Sequence, residues 1–387
     1  MEPAPAHGLV RNQGIDLLRG LSILFVILNH IGLRIPLAKT ALVAFVPRRF
    51  LSALNFNGYE AVFVFFVISG FLITGNSLRR WPQLEDIDLH GFYARRFARI
   101  VPCLLLLVLV LSVLDLAGVP DYVITHAHQS LAGAVSAALG LYLNWYEGHT
   151  GYLPGNWDVL WSLSIEEVFY IGFPLLCLVS RRMRLFVPLL CVLALSMPFT
   201  HAANSGNEIW QEKAYLTGMA AIALGVLGAL VAAHVSVPSR RTATALCATG
   251  TAGLIAILFA GNVVWAALRD GYLLVLTGSV LCLLLGFHWR ERTGAVFRWR
   301  GLGWLRLSGR YSYEIYLTHM FVVYAAVRLF RAAGSHMGSG YLWYLPILIA
   351  CAVLGITVGY LISTPADRAL RSILLEEPHA KPANSAV

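Results

Sequence analysis

The sequence predicts an all-α fold: a polytopic integral-membrane bundle of about ten transmembrane helices, with both termini cytoplasmic. Three observations predict it. Of the 387 residues, 58% are hydrophobic and only 13% charged, where a soluble domain carries about a quarter charged residues. Mean hydropathy is +0.69. Apolar runs of roughly 18 to 25 residues recur along the chain, each long enough to cross hydrocarbon.

Taken in order, membrane helices are expected at 14–36, 60–78, 98–117, 160–179, 184–200, 212–234, 242–260, 270–287, 307–331 and 342–363. The segment before the first, "MEPAPAHGLVRNQ", precedes a run too long and too polar for a signal-peptide core, and no A-x-A site follows. Residues 1–13 are therefore expected to be a cytoplasmic segment, 14–365 the membrane domain and 366–387 a short cytoplasmic tail. An eleventh candidate, "SLAGAVSAALGLYLNWY" at 130–146, is short and ends in polar aromatics. Charge decides against its crossing. If it does not span, the basic loops "RRMR", "SRR" and "WRERTGAVFRWR" all fall inside, as the positive-inside rule requires. The first outer loop breaks that pattern with Arg34, Lys39, Arg48 and Arg49. Lipid headgroups account for them more readily than an outward-facing acceptor site does.

The formal net charge is +9. Most of it clusters between apolar segments, which favours an anionic lipid surface and excludes nucleic acid as a partner. The six cysteines lie within apolar runs without C-x-x-C spacing, so they read as small buried hydrophobes. No metal site is expected; "HAH" at 126–128 has no third ligand in register.

The chemistry-bearing residues stand out because they interrupt apolar helix. In "IDLLRGLSILFVILNH", Asp16, Arg19 and His30 share one face. Arg19 and His30 are eleven residues, or about three turns, apart, which is roughly 16 Å along the axis. Asp16 is placed to pair with Arg19. Such groups are costly in hydrocarbon and mark function or a partner. "FFVISGFLIT" holds Ser69 and Gly70, small residues suited to close helix packing. In "FYARRFARIVP", Arg96 and Arg99 project on one face and suit phosphate oxygens, although a topology signal has the same appearance. "WDVLWSLSIEEVFY" puts Ser162, Glu166 and Phe169 on one face; Glu167 points about 100° away and reads as interfacial, and Trp157 and Trp161 fit an aromatic belt. "LSGRYSYEIYLTH" aligns Ser312, Tyr316 and His319, with Arg310 and Glu314 expected to satisfy one another as an i, i+4 pair.

In this order these motifs resemble acyltransferase family 3, integral-membrane O-acyltransferases of bacterial surface glycans, over about residues 12–365. The resemblance implies cytoplasmic acyl-CoA, usually acetyl-CoA, as donor, a glycan or related hydroxyl as acceptor, and a bacterial inner membrane. It carries over onto His30 as catalytic histidine, Arg19 as its companion, and Arg96 and Arg99 toward the donor. Glu166 matches the glutamate after "WSL", with Trp161 and Ser162 in the same motif, and Tyr316 and His319 match the late "YL-x-H". Thr364 stands where many members have a glutamate before proline. No fused catalytic domain is expected at either end, and the chemistry is expected within the membrane.

Imidazole suits the base that such a transfer needs. His30 is expected to take that role, or to carry an acyl-histidine intermediate, with Asp16 or Glu166 orienting or charge-balancing it. His319, sharing its face with neutral groups, reads as a supporting histidine. The rival class is a secondary transporter or proton-coupled channel built on the same buried charges.

Overall fold

The computed structural model describes residues 12–179, 183–294 and 301–375. Arg181 and Arg182 of "RRMR", the C-terminal part of "WRERTGAVFRWR", the first eleven residues and the end of the tail lie outside the described residues.

Among the described residues every regular element is helical. We number the main ones α1 (Gln13–Gly32), α2 (Gly58–Arg80), α3 (Leu89–Leu116), α4 (Trp161–Val179), α5 (Met183–Leu195), α6 (Met197–Ala203), α7 (Tyr215–His234), α8 (Arg240–Leu268), α9 (Tyr272–Arg292), α10 (Gly303–Arg310), α11 (Ser312–Ala332), α12 (Tyr344–Val358) and α13 (Thr364–Leu374). Side chains start the helices that carry His30 and the paired arginines Arg96 and Arg99. Asn12 caps α1 by accepting from the amides of Gly14 and Ile15 at 3.0 and 3.1 Å. Asp88 caps α3 through the amides of His90 and Gly91.

Eight helical stretches among the described residues are long and apolar enough to cross a membrane; α5 and α6, which meet at 45°, add a ninth. One of the eight, 240–292, is two helices. Arg269, with φ +49°, reverses the chain between α8 and α9, and Gly250 and Gly286 bring the two together antiparallel. Exposed Leu109, Val113, Val192, Leu345 and Val353 are what a lipid-facing surface requires. The molecule is an integral-membrane helical bundle.

The segment 130–146 divides into Leu131–Leu139 and Leu143–Thr150 at Leu141, which sits at φ +61°. Neither piece approaches the roughly 20 residues that a crossing needs. One expected element is corrected: 307–331 is not one helix. Tyr311 leaves helical geometry and separates α10 from α11, so Arg310 and Glu314 do not share a continuous helix.

Lipid tails are as apolar as leucine, so helices here associate by close packing. Glycine makes that packing possible at two interfaces. A Cβ on Gly70 of α2 would lie 2.0 Å from the Ile222 carbonyl oxygen of α7, and one on Gly225 would lie 2.1 Å from that of Val67. Gly20 and Gly309 allow α1 and α10 the same approach, with Cβ positions 2.0 and 1.8 Å from the carbonyls of Leu305 and Asp16. These contacts set α1, α2, α7 and α10 around one end of the bundle, where the interior opens.

Candidate active site

That opening is a cavity of about 1560 Å³ reached by α1, α2, α3, α4, α7, α9, α10, α11 and α13. Eight arginines line it: Arg19, Arg79, Arg96, Arg99, Arg292, Arg310, Arg368 and Arg371. Five carboxylates accompany them, Asp16, Glu166, Glu167, Glu291 and Asp367. The excess is cationic, and of these arginines Arg79, Arg292, Arg310 and Arg371 lie in the last turns of their helices. The volume exceeds that of ordinary ligand clefts and suits a large anionic ligand.

The arginines are not equivalent. Arg99 Nη1 lies 2.8 Å from Glu314 Oε1 and 2.9 Å from Ser363 Oγ, and Ser363 donates to the same carboxylate at 2.6 Å. Glu314 therefore pairs with Arg99 and not with Arg310, because the break at Tyr311 removes the i, i+4 register. Ser363 reaches them from a π-helical turn, Gly359–Ser363, between α12 and α13. Such turns insert one residue and re-aim a side chain. Arg371 is held by Asp367 at 2.8 Å. The Arg96 guanidinium lies 4.5 Å over the Tyr170 ring, without a carboxylate partner among the described residues.

Glu166 accepts from both Ser69 and the Tyr170 hydroxyl. Ser69 is thus more than a packing residue, and Gly70 beside it carries the packing. Glu167, about 100° round the helix from Glu166, also lines the cavity, with Oε1 buried and unpartnered. Asp16 is buried at the cavity wall. Arg19, also on the wall, donates from Nε and Nη2 to Ser312 Oγ at 3.1 and 2.9 Å. Trp161 packs edge-on against Phe66 in the core and does not reach the cavity.

The far end of the cavity is closed by Ser162 and Tyr316. The Tyr316 hydroxyl lies 2.8 Å from the Val159 carbonyl and 2.7 Å from Ser162 Oγ, which is itself 3.4 Å from that carbonyl, so the two hydroxyls share it. One helical turn beyond lies His319, and against it His30. Their ring centroids are 4.9 Å apart at 66°, and His319 Nε2 is 3.4 Å from His30 Nδ1. His30 Nδ1 also donates to the Val26 carbonyl at 2.9 Å, and His319 Nδ1 to that of Tyr316 at 2.7 Å. Beyond the pair, Arg34 donates to the His30 carbonyl and to the Tyr324 hydroxyl, both at 2.9 Å, and the Gly155 amide donates to the same hydroxyl at 3.1 Å. Of the basic outer-loop residues, Arg34 therefore braces this end; Arg48 and Arg49 are exposed.

The structure brings His30 to His319, and Ser162 to Tyr316. It keeps Arg19 about 16 Å from His30 along α1, in the cavity with Arg96, Arg99 and Glu166. Ser69, Glu167, Ser363 and Tyr324 were not singled out as site residues. An intramembrane carboxylate prompts a search for its donors, which leads to Ser69, and Glu167 is itself such a carboxylate; Ser363 and Tyr324 carry no signal in sequence spacing.

A bundle of helices whose arginines and carboxylates converge on a cavity between them defines an integral-membrane protein with a polar site inside its helices. The family model described as an acyltransferase domain matches residues 12–363, and the chain belongs to that acyltransferase family. The peptidoglycan O-acetyltransferase OatA of Listeria monocytogenes is 26% identical over 297 residues, 69% of this chain and 46% of the relative. The O-acetyltransferase OatA of Staphylococcus aureus is 30% identical over 173 residues, 42% and 24% of the two chains. The matched regions thus span less than half the length of these relatives. No solved structure matches.

Proposed function

We propose that this chain is a membrane O-acyltransferase that moves an acyl group, acetyl by preference, from cytoplasmic acyl-CoA to a hydroxyl of a cell-surface glycan. The observation that carries this reading is one polar path through the bundle. It runs from the arginine-lined cavity through Ser162 and Tyr316 to His319 and His30. Guanidinium groups suit the phosphates of a CoA donor, and Arg96, free of carboxylate, is the best placed to hold them. The relatives' names support acetyl as the group and a glycan as the acceptor. The arginine-rich end is assigned to the cytoplasm of a bacterial inner membrane, with ten crossings and both termini inside.

In the proposed step the acceptor oxygen bonds to the thioester carbonyl carbon while its proton passes to His30 Nε2. The carbon–sulfur bond breaks, and the departing thiolate takes the proton from the imidazolium. Both histidine Nδ1 atoms face carbonyls, which accept only, so each Nδ1 carries the proton in the neutral ring and each Nε2 carries a lone pair. Arg19 and Glu166 act on the donor side.

The test is thioester consumption by the purified protein in lipid bilayers, with radiolabelled acetyl-CoA and peptidoglycan fragments as acceptor. Acceptor-dependent release of CoA and labelled fragments is expected from the parent and not from His30→Ala. Absence of both, with proton flux in the same vesicles, would establish the transporter class instead.

A further inference from the structure

We infer that His319 is a positioning residue for His30: it stays neutral and accepts the Nδ1 proton of the reacting imidazole. The inference rests on the proposed role of His30 and assigns the two histidines different work.

Hydrogen bonding fixes the assignment. His319 donates through Nδ1 to the Tyr316 carbonyl at 2.7 Å, so in the neutral ring its only lone pair is on Nε2. That atom faces His30 Nδ1 at 3.4 Å. A proton on His319 Nε2 would confront the Nδ1 proton that His30 shares with Val26, leaving two donors face to face. The pair therefore has room for one further proton, and it goes to His30 Nε2.

Burial points the same way. His319 is 0% exposed, with its Nε2 covered by the His30 ring, whereas His30 is only partly buried. On this reading the acceptor hydroxyl meets His30, the histidine that keeps some exposure, and not His319. The Tyr316 ring lies beside that of His319, with centroids 5.9 Å apart, and the Cys351 thiol is directed at the His319 carbonyl. What His319 offers is an acceptor for His30 Nδ1, a bond that strengthens when His30 becomes imidazolium. Hydrogen bonds to charged groups are among the stronger ones.

The experiment compares His319→Phe, which keeps a ring without a lone pair, with His319→Gln, whose amide oxygen stands near the place of Nε2. Each is purified in detergent and matched to the parent in size-exclusion profile. With acetyl-CoA and peptidoglycan fragments, kcat of His319→Phe is expected to fall about 10- to 100-fold at unchanged KM for acetyl-CoA, and His319→Gln to regain most of it. A parent-like kcat in His319→Phe, or equal losses in the two variants, would overturn the inference. A second readout needs no turnover: carbethoxylation of His30 by diethyl pyrocarbonate, followed by peptide mass spectrometry. Faster modification of His30 in the parent and His319→Gln than in His319→Phe is expected, with His319 itself protected. Equal His30 rates in all three would overturn the inference even if no acyl transfer is detected, whereas the parent's failure to turn over bears on the proposed function alone.

Discussion

Arg99 and Glu314 meet at 2.8 Å across two helices 215 residues apart in sequence, and this pair distinguishes Arg99 from Arg96 in "RRFAR". Arg99 has its charge matched inside the bundle; Arg96 rests on Tyr170 with its charge turned to the cavity. Arg96→Ala is therefore expected to raise KM for acyl-CoA about tenfold or more, the loss of one charge-assisted contact. Arg99→Ala strands a carboxylate that is 1% exposed and is expected to cost stability first, on the order of 3 kcal/mol. Donor saturation curves and thermal unfolding in detergent check the two arms. A larger KM effect from Arg99→Ala at parent stability would reverse the assignment.

What was legible in the sequence follows from the range of the signals. Hydropathy is local, so the long apolar helices were readable, and so was the inability of 130–146 to form one. Spacing along a helix is local too, and it placed Ser312, Tyr316 and His319 on one element. It failed at Arg310–Glu314 because the break at Tyr311 leaves little trace in composition. The contacts that assemble the site cross between helices: His30 meets His319 from 289 positions away, and Ser69 meets Glu166 from 97. No periodicity reaches so far. Ser363 was hidden for another reason, since its aim depends on a π turn that changes the count by one residue.

Glycine at the α2–α7 crossing predicts a sharp contrast. A methyl group on Gly70 would sit 2.0 Å from a backbone oxygen, which cannot yield as a side-chain end can. Gly172 on α4 has nothing within 4 Å of its Cβ position. Gly70→Ala is expected to lower the thermal midpoint in detergent by several degrees, with overpacking costs of about 1–3 kcal/mol or more. Gly172→Ala should leave it unchanged or slightly raised, alanine being the better helix former. Equal midpoints would show that α2 and α7 are not held this closely.

Away from the cavity, Lys213 is buried between Glu147, at 2.8 Å, and Asp158. It joins the short helix Leu143–Thr150 to the segment that leads into α4. Asn144 reinforces the joint by donating to the Lys213 carbonyl at 2.7 Å, and the Leu153 amide donates to Glu147 at 3.0 Å. Lys213→Ala leaves Glu147, 0% exposed, without its cation. A loss of about 3–5 kcal/mol is expected. Lys213→Ala combined with Glu147→Gln should recover part of it, because no ionised group remains at the innermost position. Thermal unfolding of the two variants decides; identical midpoints would mean that Glu147 does not depend on Lys213.

The proposed orientation is checked by single cysteines at loop positions, labelled with an impermeant maleimide from outside intact cells. Gln83 lies between α2 and α3, His126 between α3 and α4, and Asn204 between α6 and α7. With ten crossings and 130–146 outside, Gln83→Cys should label only after permeabilisation. His126→Cys and Asn204→Cys should label before it. Protection of Asn204→Cys alone would mean that the 118–159 segment crosses and that every later loop inverts.

Arg19 and His30 share a face of α1 but stand at opposite ends of the proposed reaction path, and that separation predicts opposite kinetic defects. Arg19 lines the cavity and is tied through Nε and Nη2 to Ser312 at the start of α11. About 16 Å of helix separates it from His30, too far for direct contact with the imidazole. Its removal is therefore expected to weaken donor binding and the α1–α11 contact, raising KM for acyl-CoA while kcat changes by less than about tenfold. His30, as the base, acts in the chemical step. A general base contributes roughly 10²- to 10⁴-fold, so His30→Ala should lose kcat on that scale with KM for acyl-CoA within about twofold of the parent. Steady-state kinetics at varied acetyl-CoA and fixed acceptor give both parameters, and a fluorescent CoA analogue measures binding without turnover. Loss of kcat by Arg19→Ala at unchanged donor affinity would show that Arg19 works with the histidine pair during the reaction, and the cavity would then have to reach further than Tyr316.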